Sequence, residues 1–377
     1  MIKVVADKDI PFLRGALDNQ AHVRYLAGAS ICREDVKDAD ALIVRTRTRC
    51  DAHLLEGSSV RFIASATIGY DHIDTPWCDS HNISWVNASG CNARSVRQYV
   101  ASALASIARK EGHPLAGKTL GVIGKGHTGS LVAELGAQLQ MKVLCNDPPR
   151  ASREGSAGFV PLHQLLAHSH IVSLHIPLET TSHNNTHHLA NQDFFRTMKP
   201  GGWLINSSRG EVAHTQSLGE ALEQQHLQGA ILDVWENEPN IHRPLVQLAH
   251  IATPHIAGYS ADGKANGTAM SVRALSRFFG LGLDQWYPSH LPGVHPPVRE
   301  LQCAGKTKEE IFEELSLMSY DIYKDSQQLK SSIETFEQQR SNYPVRREPG
   351  YYTLQSQQCS PALQHFVQNL GFGLAER

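Results

Sequence analysis

Ten residues, L-G-V-I-G-K-G-H-T-G from Leu120 to Gly129, constrain this chain more than any other stretch. Gly124, Gly126 and Gly129 are spaced as G-x-G-x-x-G behind Thr119–Ile123, an apolar run with strand character. Helix-compatible Leu131, Val132, Leu135 and Leu139 follow, and a second strand, Val143–Cys145, delivers Asp147. In such a turn one glycine makes the bend, one lets backbone amides approach a pyrophosphate, and one lets helix pack on strand. The phosphates then lie at a helix N-terminus, where unpaired N–H groups and the dipole favour anions. A carboxylate at the end of the second strand accepts hydrogen bonds from the adenosine ribose and repels a 2′-phosphate, which favours NAD over NADP. Arg150 is the one neighbour that could soften that repulsion. A glycine triplet alone also fits an ordinary turn. Here strand, glycines, helix, second strand and Asp147 fall in register, and that context selects the dinucleotide reading.

The chain has 377 residues, enough for two or three domains. With 35 Lys and Arg against 37 Asp and Glu, bulk charge gives no support to a nucleic-acid or membrane surface. No segment is long and apolar enough to span a bilayer, and M-I-K-V-V-A-D reads as a first strand rather than a signal segment. The seven cysteines are scattered without C-x-x-C pairing, which predicts reduced thiols in a cytoplasmic protein. His183, His187 and His188 lie in T-S-H-N-N-T-H-H with no carboxylate or Cys at ligand spacing, so a solvated loop and no metal site is expected.

Up to about residue 94 the chain alternates short apolar runs with helix-like segments. Ile2–Ala6, Ala41–Val44, Phe62–Ala64 and Ile83–Val86 read as buried parallel strands of an α/β domain without a glycine triplet. Two strand ends there are candidate ligand contacts. Arg45, Thr46, Arg47 and Arg49 follow the second run, and Thr67 follows the third, where open α/β sheets bind ligands. A solvated basic rim explains the arginines equally well. Ser95–Leu104 suggests a long helix that could lead from one domain to the next. Beyond Asp147, a helix at Leu162–Ala167 and strands at His170–His175, Trp203–Asn206 and Ala230–Val234 continue the alternation of a doubly wound sheet. A helix at Gly267–Phe279 precedes a Pro-rich linker, Tyr287–Pro297. Ile311, Leu315, Met318 and Ile322 then form a helical stripe inside a segment rich in Glu, Lys and Gln.

Three polar residues sit near strand ends of the dinucleotide half: Arg209 in I-N-S-S-R-G, Glu238 in L-D-V-W-E-N-E-P, and His255 in T-P-H-I-A-G. Oxidation of an alcohol needs a base for the hydroxyl proton, and histidine suits near-neutral pH. A carboxylate beside it orients the ring and favours the imidazolium. A guanidinium grips a substrate carboxylate with two parallel hydrogen bonds. Singly each residue has a bland explanation; jointly, in this order behind a dinucleotide turn, they predict a catalytic set.

With these stretches in view the chain resembles the D-isomer-specific 2-hydroxyacid dehydrogenases over residues 1–285. The resemblance rests on G-K-G-H-T-G, H-I-P-L at His175, I-N-S-S-R-G-E-V, L-D-V-W-E-N-E-P and T-P-H-I-A-G. It implies two doubly wound, Rossmann- or flavodoxin-like parallel-sheet domains with a deep cleft, plus a small C-terminal α/β dimerisation domain. The expected bounds are 1–94 for substrate binding, completed by 258–285, then 95–257 for NAD, and 286–377 for dimerisation. It implies Arg209 as substrate-carboxylate and catalytic arginine, Glu238 as the histidine's partner and His255 as acid/base. A-T-I-G-Y-D-H-I-D, G-C-N-A, N-D-P-P-R and H-I-A-G-Y-S-A-D-G-K-A-N-G-T point to a branch that handles a phosphorylated acid. Y-D-I-Y-K-D and Q-R-S-N-Y-P-V-R-R-E resemble that branch's extra dimerisation domain. The same resemblance places Thr46, Thr67 and Tyr259 against substrate, and Asp147, Ile176, Ser207, Ser208, Arg209, Asp233 and Gly258 against NAD. Arg45 and Arg47 are added as donors for a distal phosphate, with Arg346 and Arg347 as a weaker pair. Lys125, His127 and Thr128 in the glycine loop, Gln98 where Glu is usual, and Ile176 where Thr is frequent depart from the family pattern. Phosphoglycerate dehydrogenase is the nearest rival, though its longer forms carry a regulatory domain unlike this tail. An NAD-sensing regulator of the same fold is the rival from another class.

Overall fold

The computed structural model describes residues 1–180 and 184–375. His183 of the histidine-rich stretch lies outside the described residues. The chain divides into two compact units, Met1–Asn92 with Ser260–Pro292, and Ala93–Tyr259 with Gly293–Arg377.

The first unit is built on five parallel strands: β1 (Ile2–Asp7), β2 (Ala21–Leu26), β3 (Ala41–Val44), β4 (Phe62–Ser65) and β5 (Ser84–Asn87), in the order β2-β1-β3-β4-β5. β3 and β4 are buried along their whole length, which is why they read as unbroken apolar runs. One face packs Val5, Leu42 and Ile63 against Leu54 and Cys78; the other packs Val4, Ile43 and Phe62 against Val272 and Leu275. The last two come from the helix Ala261–Phe279, which opens on a Ser260 Oγ cap accepting from Gly263 N at 2.7 Å and stops at Gly280, φ 69°. β2 is a half-exposed edge strand that the apolar-run pattern did not reveal.

In the second unit six parallel strands follow: β6 (Thr119–Ile123), β7 (Lys142–Asn146), β8 (Ile171–Leu174), β9 (Gly202–Asn206), β10 (Leu227–Leu232) and β11 (Ile251–Ala252). Their order is β11-β10-β9-β8-β6-β7, so the direction of winding reverses beside β6. That is the switch point at which open α/β sheets take ligands. β10 starts three residues before the expected Ala230 and ends at Leu232, leaving Asp233 and Val234 in the following loop.

The helix Ala93–Glu111 buries Tyr99, Val100, Ala103, Leu104 and Ile107 in a cluster shared with Leu120 and Val122 of β6. The same cluster continues into Leu301, Ile311, Phe312 and Leu315, so residues from 293 onward share one core with the dinucleotide sheet. Gln98 explains one departure from the family pattern. Its Nε2 donates to Ser319 O at 3.2 Å and Arg347 O at 3.0 Å, which a carboxylate could not do.

The C-terminal segment adds a parallel sheet of β12 (Val298–Gln302), β13 (Thr353–Gln357) and β14 (Gly373–Leu374). Two expectations fail here. The stripe through Ile311 and Ile322 is two helices, Lys308–Ser319 and Ile322–Ser331. Asp321 breaks it by accepting from Tyr323 N and Lys324 N as a new N-cap, while Tyr320 turns inward to donate to Asp325 Oδ2 at 2.9 Å. The thiols are also not all reduced: Cys303 and Cys359 are joined, with Cα atoms 4.9 Å apart. They leave neighbouring parallel strands paired at Gln302 and Gln357, so the register brings them side by side. Of the five free cysteines, Cys50 and Cys78 have thiols pushed up by burial, to about 12 and about 11. Among the described residues no helix is long and apolar enough to cross a membrane.

Candidate active site

The second unit's glycine turn has the geometry its sequence implies. Gly124 has φ +86°, and a Cβ there would press on His175 O at 2.5 Å and Ile176 Cγ2 at 2.7 Å. A Cβ on Gly129 would overlap the carbonyl oxygen of Gly124, so helix and strand close up only on glycine. The 12-residue helix His127–Gln138 starts at Gly126 with no side-chain cap and no acidic residue in its first turn. Its leading N–H groups therefore keep their capacity for an anion. The Lys125 Nζ lies 5.3 Å from the Phe159 ring centroid, which accommodates a residue unusual in this turn.

Asp147 lies at the end of β7, as expected, and its carboxylate is already at work. Lys125 N donates to Oδ2 at 2.8 Å and Arg150 N to Oδ1 at 3.0 Å. It thus braces the glycine turn and caps the next helix, with lone pairs left for ribose hydroxyls. Arg150 does not soften the site for a 2′-phosphate through a loose guanidinium: Nε meets both oxygens of Glu154 at 2.8 Å and Nη1 binds Lys125 O.

Arg209 is set by the loop after β9. Asn206 Oδ1 accepts from Ser208 N at 3.1 Å and Ser208 Oγ at 2.8 Å, and Asn206 Nδ2 donates to Arg209 O at 3.1 Å. Asn206 is a functional residue whose sequence signal is an Asn two residues before a Ser, the signature of such a side-chain turn. Arg209 Nη1 donates to Ser208 O at 2.8 Å. A Cβ on Gly210 would overlap the Trp235 carbonyl group, so the Arg209 loop and the loop after β10 touch through their backbones. Ser207 Oγ is buried without a partner among the described residues.

His255 and Glu238 meet. His255 Nδ1 lies 2.8 Å from Glu238 Oε2, while Glu238 Oε1 accepts from Trp235 N at 3.0 Å. The carboxylate is thus fixed before it orients the ring. His255 has φ 57°, a left-handed conformation that a side-chain-bearing residue adopts only when its surroundings hold it. Asp233 supplies much of that hold. Its Oδ1 accepts from Thr253 Oγ1 at 2.7 Å and Ile256 N at 2.8 Å, its Oδ2 from Ala257 N at 2.8 Å, and its carbonyl from His255 N at 2.7 Å. Asp233 is 1% exposed, and these contacts make it the clamp of the histidine loop. Gly258 and Tyr259 end that loop.

In the first unit, Arg45 is half-buried with Nη1 on Asp9 O at 3.0 Å, whereas Thr46 and Arg47 are exposed just beyond β3. Arg49 is spent on Asp51 at 2.9 Å. Thr67 Oγ1 lies 2.8 Å from Ser65 Oγ and donates to Gly69 O at 3.1 Å. Of the described histidines in the polar stretch, His187 is exposed and His188 Nε2 is 2.6 Å from Glu236 Oε1.

Comparison with known proteins carries the geometry to a family. Residues 91–257 match the model for the D-isomer specific 2-hydroxyacid dehydrogenase NAD binding domain, and residues 294–371 match a domain of unknown function. The chain is 46% identical over 354 residues to erythronate-4-phosphate dehydrogenase of Bacteroides fragilis, covering 94% of this chain and 99% of that one. The enzyme of that name from Bacteroides thetaiotaomicron is 43% identical over 357 residues, with the same shares. Among solved structures, D-lactate dehydrogenase of Aquifex aeolicus, complexed with NAD and lactic acid, is 25% identical with a TM-score of 0.59, covering 77% of this chain and all of that one. The glycine turn, the uncapped helix start and the unmet Ser207 hydroxyl fit a dinucleotide, and the cofactor is NAD. With two doubly wound units and an Arg–Glu–His set behind that turn, the chain belongs to the erythronate-4-phosphate dehydrogenases, within the NAD-dependent D-isomer-specific 2-hydroxyacid dehydrogenases.

Proposed function

We propose that the chain oxidises 4-phospho-D-erythronate at C2 to (R)-3-hydroxy-2-oxo-4-phosphooxybutanoate, a step of pyridoxal phosphate biosynthesis. The observation that carries this reading is the His255–Glu238 pair at 2.8 Å in the loops after β10 and β11. Glu238 orients the ring through Nδ1, which directs Nε2 to the substrate hydroxyl as general base. The hydroxyl proton passes to Nε2 as the C2–O bond becomes a carbonyl. Bound NAD supplies the acceptor for the hydrogen and electron pair that leave C2. Arg209 grips the carboxylate next to C2 with two parallel hydrogen bonds and fixes which face reacts.

Around that centre, Gly124, Gly126, Gly129, Asp147, Ile176, Ser207, Ser208, Arg209, Asp233 and Gly258 form the cofactor contacts. Thr46, Thr67 and Tyr259, with Arg45 and Arg47, serve the remaining substrate groups. Ile176 and Asp233 act there through backbone or packing: Ile176 has no hydroxyl, and both Asp233 oxygens accept bonds from the histidine loop. We assign residues 1–94 with 258–285 to substrate binding, 95–257 to NAD and 286–377 to a homodimer interface. A cytoplasmic setting suits the five free thiols, with the Cys303–Cys359 bond as the contrary feature.

The test is kcat/KM for erythronate with and without its phosphate, repeated in Arg45→Ala and Arg47→Ala. Phosphate contacts far from C2 can be spent on orientation, so losing the phosphate should lower turnover as well as affinity. Equal efficiency for both substrates refutes the reading. A phosphate preference untouched by either substitution removes Arg45 and Arg47 from it.

A further inference from the structure

The helix Phe336–Ser341 carries a cation, Arg340, to the histidine loop. Phe336 is 1% exposed in a cluster with Leu329, Ile333, Val246 and Ala252, and Ala252 N donates to Ser326 Oγ at 3.0 Å. These contacts pin the segment against β11, the strand that leads into the Thr253–Tyr259 loop. Arg340, one turn beyond Phe336, lies with its guanidinium carbon 5.7 Å from the Phe336 ring and 5.9 Å from the Tyr259 ring. Nη1 binds Glu337 Oε1 at 2.8 Å and Nη2 donates to the Tyr259 hydroxyl at 3.3 Å. Nε is buried with no partner among the described residues. Burial opposes the charge, yet the nearby Tyr259, Glu238 and Glu337 raise the group above the ordinary arginine value, so it stays charged beside the catalytic carboxylate.

A part-buried guanidinium with an unmet donor is an unfinished arrangement, because a buried donor without a partner loses its water and gains nothing in return. The carboxylate paired with it, Glu337, is itself 46% exposed at the side chain and neutralises it weakly. An anion placed on Arg340 would also reach the Tyr259 hydroxyl. Of the two anionic ends of the proposed substrate, the carboxylate belongs to Arg209. That leaves the phosphate.

We propose that Arg340 and the Tyr259 hydroxyl bind the substrate phosphate, so that the segment after residue 293 is part of the substrate site as well as of the core. This inference rests on the functional reading above and adds a specificity residue to it. Arg45 and Arg47 would then be rivals or additional donors, and the variants separate them.

The experiment compares full-length wild type, Arg340→Met and Arg340→Lys. It measures kcat and KM for erythronate with and without its phosphate, the Kd for NADH by fluorescence, and binding of inorganic phosphate to the NADH-loaded chain by calorimetry. Arg340→Met should lower kcat/KM for the phosphorylated substrate about thirtyfold, since a charge-assisted hydrogen bond is lost. It should change erythronate less than about threefold, weaken inorganic phosphate about tenfold, and leave the NADH Kd unchanged. Arg340→Lys should fall between, keeping charge and losing the fork. Equal fractional loss on both substrates, or unweakened binding of inorganic phosphate, overturns the proposal. A changed NADH Kd in both variants would assign Arg340 to the fold and also overturn it. If wild type shows no preference for the phosphorylated substrate, the functional reading falls, and the phosphate titration still decides Arg340.

Discussion

The two units place the same strand order in two different chemical settings. β1 lies between β2 and β3 as β6 lies between β7 and β8. β1 ends in Asp7, 2% exposed, whose Oδ1 accepts from Asp9 N at 3.0 Å, and no residue from there to β2 is helical. β6 ends in the Gly124 turn and an uncapped helix of 12 residues. A phosphate at the first position would meet a carboxylate and no helix dipole; at the second it meets free N–H groups. Strand order is therefore permissive, and the turn decides which sheet takes a dinucleotide.

The largest expected effect comes from breaking that turn. Gly129→Ala forces a Cβ into the Gly124 carbonyl and pushes the helix off β6. NADH affinity should fall by roughly a thousandfold or more, about 4 kcal/mol, in a fluorescence titration. Asp7→Asn, at the corresponding strand end of the other unit, should leave that titration within about twofold, because it touches no dinucleotide contact. Comparable losses in both variants would dissolve the contrast between the two units.

A smaller effect sharpens the role of the strand after the turn. Asp147→Ser removes the carboxylate that repels a 2′-phosphate while keeping an oxygen to cap the next helix. The ratio of kcat/KM for NAD over NADP should drop by about ten- to a hundredfold, the scale of one close charge contact in a partly wet site. An unchanged ratio would mean that selection lies elsewhere in the turn.

The smallest effect tests the core beneath the site. Burial, then Lys110 and Lys330, push the His250 ring down to about 4. The unfolded chain binds that proton near pH 6.5, so stability from the neutral ring is present above 6.5 and is lost as pH falls towards 4. His250→Phe keeps a ring against Trp203 and Tyr323 and removes the titration. Relative to wild type, the variant should gain on the order of 1 kcal/mol between pH 7 and pH 4.5 in urea denaturation, after allowance for partial exposure. A difference constant with pH would contradict this.

The same contrast explains how much of the molecule is legible in its amino-acid sequence. Gly124, Gly129 and Asp147 belong to one local motif of strand, turn, helix and strand, so their spacing alone implies their geometry. Arg209, Glu238 and His255 are legible because each follows a strand of the same sheet. Asp233, in contrast, reads in sequence as a cofactor contact, and only the folded loop shows its carboxylate clamping residues 253–257. β2 escapes a sequence reading because an alternating edge strand lacks the unbroken apolar run of β3. The Cys303–Cys359 bond depends on β12 pairing with a strand some fifty residues later, a non-local fact with no local signature. Arg340 sits in Q-R-S-N-Y-P-V-R-R-E, which in sequence resembles part of a dimerisation domain; the fold sets its guanidinium against the Tyr259 hydroxyl.

Under the proposed function, Arg209, Glu238 and His255 of the second unit oxidise a phosphorylated acid. Initial rates of NADH formation with 4-phospho-D-erythronate and with 3-phospho-D-glycerate, in wild type and His255→Ala, test it most directly. At least about a hundredfold higher kcat/KM is expected for the erythronate ester in wild type, and a fall of roughly a hundred- to ten-thousandfold in kcat on losing the base. NADH affinity should be unchanged in the variant. Equal or better use of phosphoglycerate, or near-wild-type turnover by His255→Ala, would contradict it.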